Sequence, residues 1–458
     1  MQKYDVAIIG GGIGGLMAAY GLIEKNPDLQ IVIIDKGHTL KNRSCPRMNK
    51  ESNQCVGCNP CSVMCGFAGA GAYSDGKFIL TTEYGGNLGE LVGYDLAIQS
   101  MELADSILQK HGASDERFYP NLEFEESCKK NGLSVRKGIV KHFGTENNLK
   151  IMSSIIQYLD NNCTLLPDSL VTDVNPDKHF IYINGSIEIF ATNIVFSIGR
   201  SGANFFNKWC LKNSIKVNNN KIDLGVRIEL KSEVWQAISQ IVYDPKIYYI
   251  SEKYKDEVRM FCFNEGGEVV VENTYDVMTV NGQAYSDPHL KTLNSNFALL
   301  VSIQFSEPFD KSVEYVRDLA RCANYISSNN IVVQRFGDLI VGCRTTEEKL
   351  YHSSITPSLN AYPGDLSLCL PKRQLDSIIE MIYKLDKIAP GTASEDTLLY
   401  GIEGKYYSSF PEMKNFELVG YSSIYACGDG CGISRSLAQA AANGLILSDI
   451  IHSTNSNI

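Results

Sequence analysis

The chain has 458 residues, 44% of them hydrophobic and 21% charged, with a formal net charge of −10. This is the composition of a globular protein with a sizeable core, long enough for two domains or one large domain carrying an insertion. The acidic balance argues against a broad nucleic-acid surface, and outside residues 4–23 no run is apolar enough to suggest a membrane span. Fourteen cysteines without a secretory pattern predict a reducing, cytoplasmic setting, where clustered thiols serve metal or redox chemistry rather than structural disulfides.

The first predicted elements are an apolar strand, Tyr4-Asp-Val-Ala-Ile-Ile, the turn Gly10-Gly-Gly12-Ile13-Gly14-Gly15 and a small-residue helix. A second strand, Ile31–Ile34, then ends in Asp35-Lys36. A bare G-x-G-x-x-G says little. Here the strand before, the helix after and the acid at the next strand's tip give the dinucleotide-binding arrangement. Gly10 permits the tight turn, Gly12 lets backbone approach a pyrophosphate, and Gly15 lets helix and strand pack closely. The helix N-terminus offers its amides to the phosphates. Asp35 is placed to accept hydrogen bonds from an adenosine ribose, and Ile13, Gly14 and Lys36 complete the expected contact set. The same pattern excludes a signal peptide over residues 4–23.

Next comes Cys55-Val-Gly-Cys58-Asn-Pro-Cys61-Ser-Val-Met-Cys65, with Cys45-Pro46 upstream. Three thiols at two-residue gaps can wrap one metal or one face of an iron–sulfur cube, completed by a remote Cys-Pro. The ligands would be Cys45, Cys55, Cys58 and Cys61, with Cys65 as substitute, around a [4Fe-4S] cluster or tetrahedral zinc. Redox-active dithiols and plain free thiols are the alternatives.

Residues 88–112 predict one long helix with Leu91, Tyr94, Ile98, Met101, Ala104 and Leu108 on its apolar face, and residues 145–160 predict another. Residues 180–190 read as a hairpin turning at Asn184-Gly185, followed by a strand that ends at Gly199-Arg200-Ser-Gly202. Strands are expected at 225–230, 268–272 and 297–305, and helices at 310–326 and 373–386. Pro357, Pro363 and Pro371 punctuate a loop that reads as a lid. Near the end, a short strand runs into Gly428-Asp429-Gly430-Cys-Gly432 and an alanine-rich helix. Asp429 can bond ribityl hydroxyls there, while the helix amides face a flavin's pyrimidine edge. A nicotinamide protein needs no such distal closure, so the cofactor reads as FAD. The chain has no second G-x-G-x-x-G, so NAD(P)H would visit transiently or electrons would arrive by another route. The tail, residues 453–457, is expected to fray.

These motifs resemble the poorly characterised FAD-dependent dehydrogenases, the NAD(P)/FAD-dependent oxidoreductases of the glutathione-reductase-like flavoprotein superfamily. The resemblance extends to Gly69-Ala70-Gly71-Ala72-Tyr-Ser74-Asp75-Gly76-Lys77, His142-Phe-Gly144-Thr145, Gly225-Val-Arg227-Ile-Glu229, Phe261-Cys-Phe-Asn-Glu-Gly266-Gly267 and Val280-Asn281-Gly282. It implies that Gly69–Ser74 pass over the FAD pyrophosphate and isoalloxazine. The chain departs from the family at Arg435-Ser436, where two glycines are usual, and at residues 404–411, so no family substrate carries over.

The expected architecture is α/β: a Rossmann-like FAD-binding domain of the glutathione-reductase type with an inserted α+β, strand-rich substrate domain. The first is expected at residues 1–205 and 395–458, with the cysteine-rich loop at 45–65, and the second at 206–394. The expected activity is that of an oxidoreductase, with hydride transfer between flavin N5 and a small organic molecule. Arg435 would stabilise negative charge on reduced flavin or hold a substrate carboxylate. Glu403 is a candidate acid–base group, with a plain ion pair to Lys405 or Arg227 as its alternative. Two further readings are an electron-transfer flavoprotein wired through the cysteines to a redox protein partner, and a flavin-dependent RNA-modifying enzyme. The charge counts against the latter, and no membrane partner is expected.

Overall fold

A computed structural model describes residues 2–455 apart from 47, 50, 52–55, 275–276, 286–287, 306–310 and 406. The chain divides into two compact units. The first comprises Met1–Arg117, Gly138–Asn220 and Tyr407–Ile458, the second Phe118–Lys137 and Lys221–Tyr406.

The first unit is built on a sheet whose parallel middle runs Ile424–Ala426, Ile187–Phe196, Gln2–Ile9, Ile31–Ile34 and Thr164–Leu166. Val6 to Ile9 and Ile31 to Ile34 are buried without alternation, as a parallel sheet covered on both faces requires. The register brings Ile9 level with both Ile34 and Phe196, and Phe196 level with Ala426. Three neighbouring strands therefore end along one line. The helix Ile13–Lys25 is buried from Ile13 to Ile23. It packs on the last helix, Leu437–Asn455, so closely that a Cβ at Gly444 would lie 2.1 Å from the Gly14 carbonyl oxygen. The predicted hairpin forms, with Phe180–Ile183 antiparallel to the following strand and Asn184 and Gly185 both at positive φ.

In the second unit eight strands form one sheet in the order Tyr362–Pro363, Val332–Arg335, Leu398–Lys405, Ile222–Lys231, Asn294–Ile303, Glu257–Asn264, Ile247–Ile250 and Ser134–Val135. The helix Lys372–Asp386 presents Leu375, Ile378, Met381, Ile382 and Leu385 to its core. The hairpin Glu268–Thr274 and Val277–Gln283 is a separate two-stranded element.

Several expectations need correction. The helix predicted over 88–112 is two, Leu88–Val92 and Tyr94–Lys110, because Gly93 takes φ +90° between them. Leu91 and Tyr94 are consequently exposed, and Ala97 and Ile107 take their places in the core. The strand predicted to reach 305 ends at Ile303. The proline-rich lid is tied down, since Tyr362 and Pro363 pair with Val332 and Val333 and the Ser358 amide donates to Glu229. Of the tail expected to fray, residues 453–455 continue the last helix, and 456–457 lie outside the described residues. The first unit also extends past 205 to Asn220, because the helix Arg200–Lys212 is continuous and Phe206, Trp209 and Cys210 sit in that unit's core. Residues 395–406 fall in the second unit, where Leu398–Lys405 is a central strand.

Candidate functional site

The three level strands of the first unit each end in one of the predicted glycine turns: Gly10 to Gly15 after the first, Gly199 after Ile187–Phe196, and Gly428 to Gly432 after Ile424–Ala426. Ligands of open α/β sheets bind outside such carboxyl ends. The turns are stitched together by backbone bonds, from Ser197 N to Ile9 O, Cys427 N to Phe196 O and Gly430 N to Ile198 O, at 2.8–2.9 Å. Gly10 takes φ +114°, and a Cβ there would lie 2.2 Å from the Ser197 carbonyl oxygen.

Gly12 and Gly199 are the N-caps of the two helices that leave this edge, and neither helix has a side-chain cap. A Cβ built on either glycine meets nothing within 4 Å. The space beside each glycine is thus open and no cap side chain takes the first-turn amides; a pyrophosphate is the kind of group that such donors and dipoles hold. The donor set fits an FAD diphosphate.

The loop Gly69 to Ser74 lies across this turn: Ala68 N donates to Gly11 O at 2.8 Å, and a Cβ on Gly69 would come 3.1 Å from Gly12 Cα. Ala70 to Tyr73 form a short 3-10 turn with Ala70 exposed and Ala72 buried, and Ser74 Oγ donates to Gly71 O at 2.7 Å. Two residues that the sequence did not single out hold the loop. Asn148, 1% exposed, donates from Nδ2 to Gly71 O at 2.8 Å and Ala72 O at 3.2 Å. Arg43, 5% exposed, donates to the carbonyls of Ser62, Val63, Phe67 and Gly69 at 2.7–2.8 Å. Burial lowers its pKa, opposed by Tyr73, Asp35 and the nearby thiols. A single arginine in a polar loop, or a single asparagine in the first turn of a helix, carries no sequence pattern, so neither was legible.

Asp35 sits at the strand tip as expected, and its carboxylate accepts three backbone amides, Gly11 at 2.9 Å, Gly37 at 2.8 Å and Gly66 at 2.9 Å. A carboxylate has about four acceptor sites, which leaves capacity for a hydroxyl. Lys36 Nζ donates to Ser201 O at 3.1 Å. Asp429 is paired with Arg200, whose Nε lies 2.8 Å from Oδ2, and Gly432 adopts the left-handed conformation. Arg435 lies 3.5 Å above the centre of the Tyr407 ring and donates to Asn220 Oδ1 at 2.8 Å. Asp75, beside Lys77 at 3.5 Å and His142 at 3.7 Å, has a lowered pKa; burial works against its charge, but these two partners outweigh it.

Glu403 belongs to the second unit, whereas Arg435 belongs to the first. It is fully buried, 3.4 Å from Arg227 and 3.3 Å from Lys405. Arg227 also donates to Asn296 Oδ1 at 2.9 Å and Cys262 O at 3.0 Å, and its pKa is raised because Glu403 and Cys262 outweigh the effect of burial. Glu403 thus stands in the ion-pair arrangement. Of the proposed metal ligands, Cys55 lies outside the described residues. Cys58 is exposed, Cys45 and Cys61 are partly exposed, and Cys65 is buried with Sγ 3.3 Å from Ser201 Oγ. Among the described residues no group of three or more His, Cys, Asp or Glu is placed to hold a metal ion. No described helix is long and apolar enough to cross a membrane.

Residues 221–406 match the family model described as FAD-dependent protein, C-terminal domain-like. An uncharacterized protein of Clostridium beijerinckii is 27% identical over 480 residues, spanning 98% of this chain and 81% of its own. Similar solved structures include L-proline dehydrogenase from P. horikoshii, with a TM-score of 0.43 and 12% identity over 99% of this chain and 94% of that one. Glycine oxidase from Geobacillus kaustophilus gives a TM-score of 0.42 and 10% identity over 99% and 95%. The family match spans the main segment of the second unit, and with the glycine turns at the strand edge of the first it supports an FAD-dependent oxidoreductase.

Proposed function

We propose that the protein moves a hydride between FAD and a small organic molecule. The observation that carries this reading is the pair of uncapped helix N-termini, at Gly12 and Gly199, opening into free space beside the Gly428-Asp429 turn. Bound FAD would supply the hydride chemistry, which amino-acid side chains do not. The residues of the chain bind and orient. The amides after Gly12 take the diphosphate, with Gly10, Ile13, Gly14 and Gly15 shaping the turn around them. Asp35 accepts from the adenosine ribose, with Lys36 beside it. Asp429, with Gly428 and Gly432 setting its turn, accepts from the ribityl chain once Arg200 yields it. Gly69, Ala70, Gly71, Ala72 and Ser74 cover the diphosphate, pinned from behind by Asn148 and Arg43. Arg435, held between Asn220 and Tyr407, keeps a positive charge at the start of the last helix, suited to an anionic flavin or a substrate carboxylate.

The substrate, the electron donor (NAD(P)H or a protein) and the direction of the reaction follow from assay. Electron relay through an iron–sulfur cluster or zinc-bound cysteines has no supporting geometry among the described residues, and neither does RNA modification. The test is to purify the full chain, release its chromophore by denaturation and identify it by mass, with iron, sulfide and zinc assayed on the same sample. FAD near one equivalent, lost in Asp429→Ala with the fold retained, is the expected result. A folded protein that carries no flavin and binds none when FAD is added overturns the proposal.

A further inference from the structure

In the second unit, Cys343 and Lys349 face each other with Sγ 3.4 Å from Nζ. The approach is built by the backbone. Gly342 at φ +72° turns the chain after the helix Phe336–Ile340, the Cys343 amide donates to Asp338 O at 2.9 Å, and its carbonyl accepts from Gln334 Nε2 at 2.8 Å. Thr346 caps the short helix Glu347–Tyr351, which carries Lys349 back over the thiol. Asp338 draws the cluster together: its carboxylate takes Lys349 Nζ at 2.6 Å, Thr345 Oγ1 at 2.7 Å and the Cys343 thiol at 3.6 Å, with Arg335 at 3.7 Å behind it. Cys343 is partly exposed and the Lys349 side chain 40% exposed, so a small oxidant reaches both.

We propose that Cys343 and Lys349 form a reversible oxidative crosslink, a sulfur–nitrogen bond that staples residue 343 to residue 349 in the presence of hydrogen peroxide. Peroxide first oxidises the thiol to a sulfenic acid and leaves as water. The neutral lysine amine then attacks sulfur, the sulfenic oxygen departs as a second water, and an S–N bond replaces the S–O bond. In sum, R–SH + R′–NH2 + H2O2 gives R–S–NH–R′ + 2 H2O, with sulfur oxidised by two electrons and peroxide reduced by two. Sulfenic acids condense in this way with a nearby nitrogen when no second thiol intervenes, and here the nitrogen is already in contact. The attack needs the deprotonated amine. Lys349 has a raised pKa, chiefly from its hydrogen bond to Asp338 and then from that to Cys343, so the crosslink forms faster as pH rises. A thiol reductant attacks the sulfur and restores both side chains.

The test treats the full chain with hydrogen peroxide at about pH 7 and about pH 9, on either side of the free-thiol range, and maps tryptic peptides without reduction. In the wild type the peptide 336–344 is expected joined to 345–372, uncut after Lys349 and lighter than the sum by one hydrogen molecule. The species should be more abundant at the higher pH, disappear on adding dithiothreitol, and be absent from Cys343→Ser and Lys349→Arg. The arginine variant keeps Asp338 paired, so loss of the crosslink there does not reflect loss of the fold. If the Cys343 of the wild type advances to sulfinic or sulfonic acid, or joins another cysteine, while trypsin still cuts after Lys349, the proposal is overturned.

Discussion

The strand edge of the first unit and the polar centre of the second-unit sheet are both rich in hydrogen-bonding groups, yet they spend them differently. At Gly12 and Gly199 the donors are backbone amides with no side-chain cap and free space before them. Around Arg227 the donors and acceptors meet one another: fully buried Glu403 and Asn296, with the carbonyl of partly exposed Cys262, surround the guanidinium. Beside it Glu229 takes Tyr400 Oη at 2.5 Å and Asn294 Nδ2 at 2.9 Å. The first arrangement leaves its helix N-termini uncapped, whereas the second spends nearly all of its groups on one another, Asn296 Nδ2 being the one member of this cluster left without a partner. Polar residues in a recognisable motif therefore do not by themselves mark a binding site; uncapped helix N-termini beside open space are the stronger sign.

The comparison breaks most sharply at Glu403. Removing it by Glu403→Ala leaves a buried guanidinium without its carboxylate and should cost about 3–5 kcal/mol of stability. Replacing both partners together, Arg227→Met with Glu403→Met, should recover most of that loss; denaturant titration of the three proteins measures it. If the single and double variants are equally destabilised, the pair is not a coupled unit. At the other site, Gly12→Ala should leave the denaturation midpoint near that of wild type, because φ −74° suits alanine and a Cβ there meets nothing within 4 Å. FAD affinity should fall at least about tenfold, roughly 1.4 kcal/mol or more, as read by flavin fluorescence on titrating apoprotein. A melting temperature that drops with unchanged FAD affinity would reverse the assignment of the two regions.

The smallest effect is pH-dependent. Asp75 has a depressed pKa in the fold, so the stability it contributes is present above the ordinary carboxylate range and is lost as pH falls through the folded value. Asp75→Asn should therefore melt below wild type near pH 6 (roughly two units above an unperturbed carboxylate), with the gap closing as the solution is acidified. A gap that widens on acidification would contradict the His142 and Lys77 pairing.

The strand edge with its glycine turns was legible because its elements obey strong local rules. A strand, a glycine turn, a helix and an acid at fixed spacing admit few arrangements, and Asn184-Gly185 specifies its hairpin. Periodicity also marked the helix at 145–160, which forms as Thr145–Asp160. What escaped was non-local. Residues 118–137 join the second unit through the two-residue strand Ser134–Val135, which pairs with Ile247 and Tyr248, too short to leave a pattern. The break at Gly93 was visible only as a glycine inside an otherwise periodic run. Asn148 and Arg43 act on carbonyl groups, which every residue has, so their partners leave no trace in the sequence.

Arg43 has a wider consequence for how this part of the chain can vary. By binding the carbonyls of Ser62 and Val63, it fastens residue 43 to residue 62 and turns everything between them into a closed excursion, which contains Cys45, Cys58 and Cys61. Lengthening a loop whose ends are already clamped costs little, about 0.6 kcal/mol for a doubling. Insertions or deletions between residues 43 and 62 are thus expected to cost the strand edge little stability.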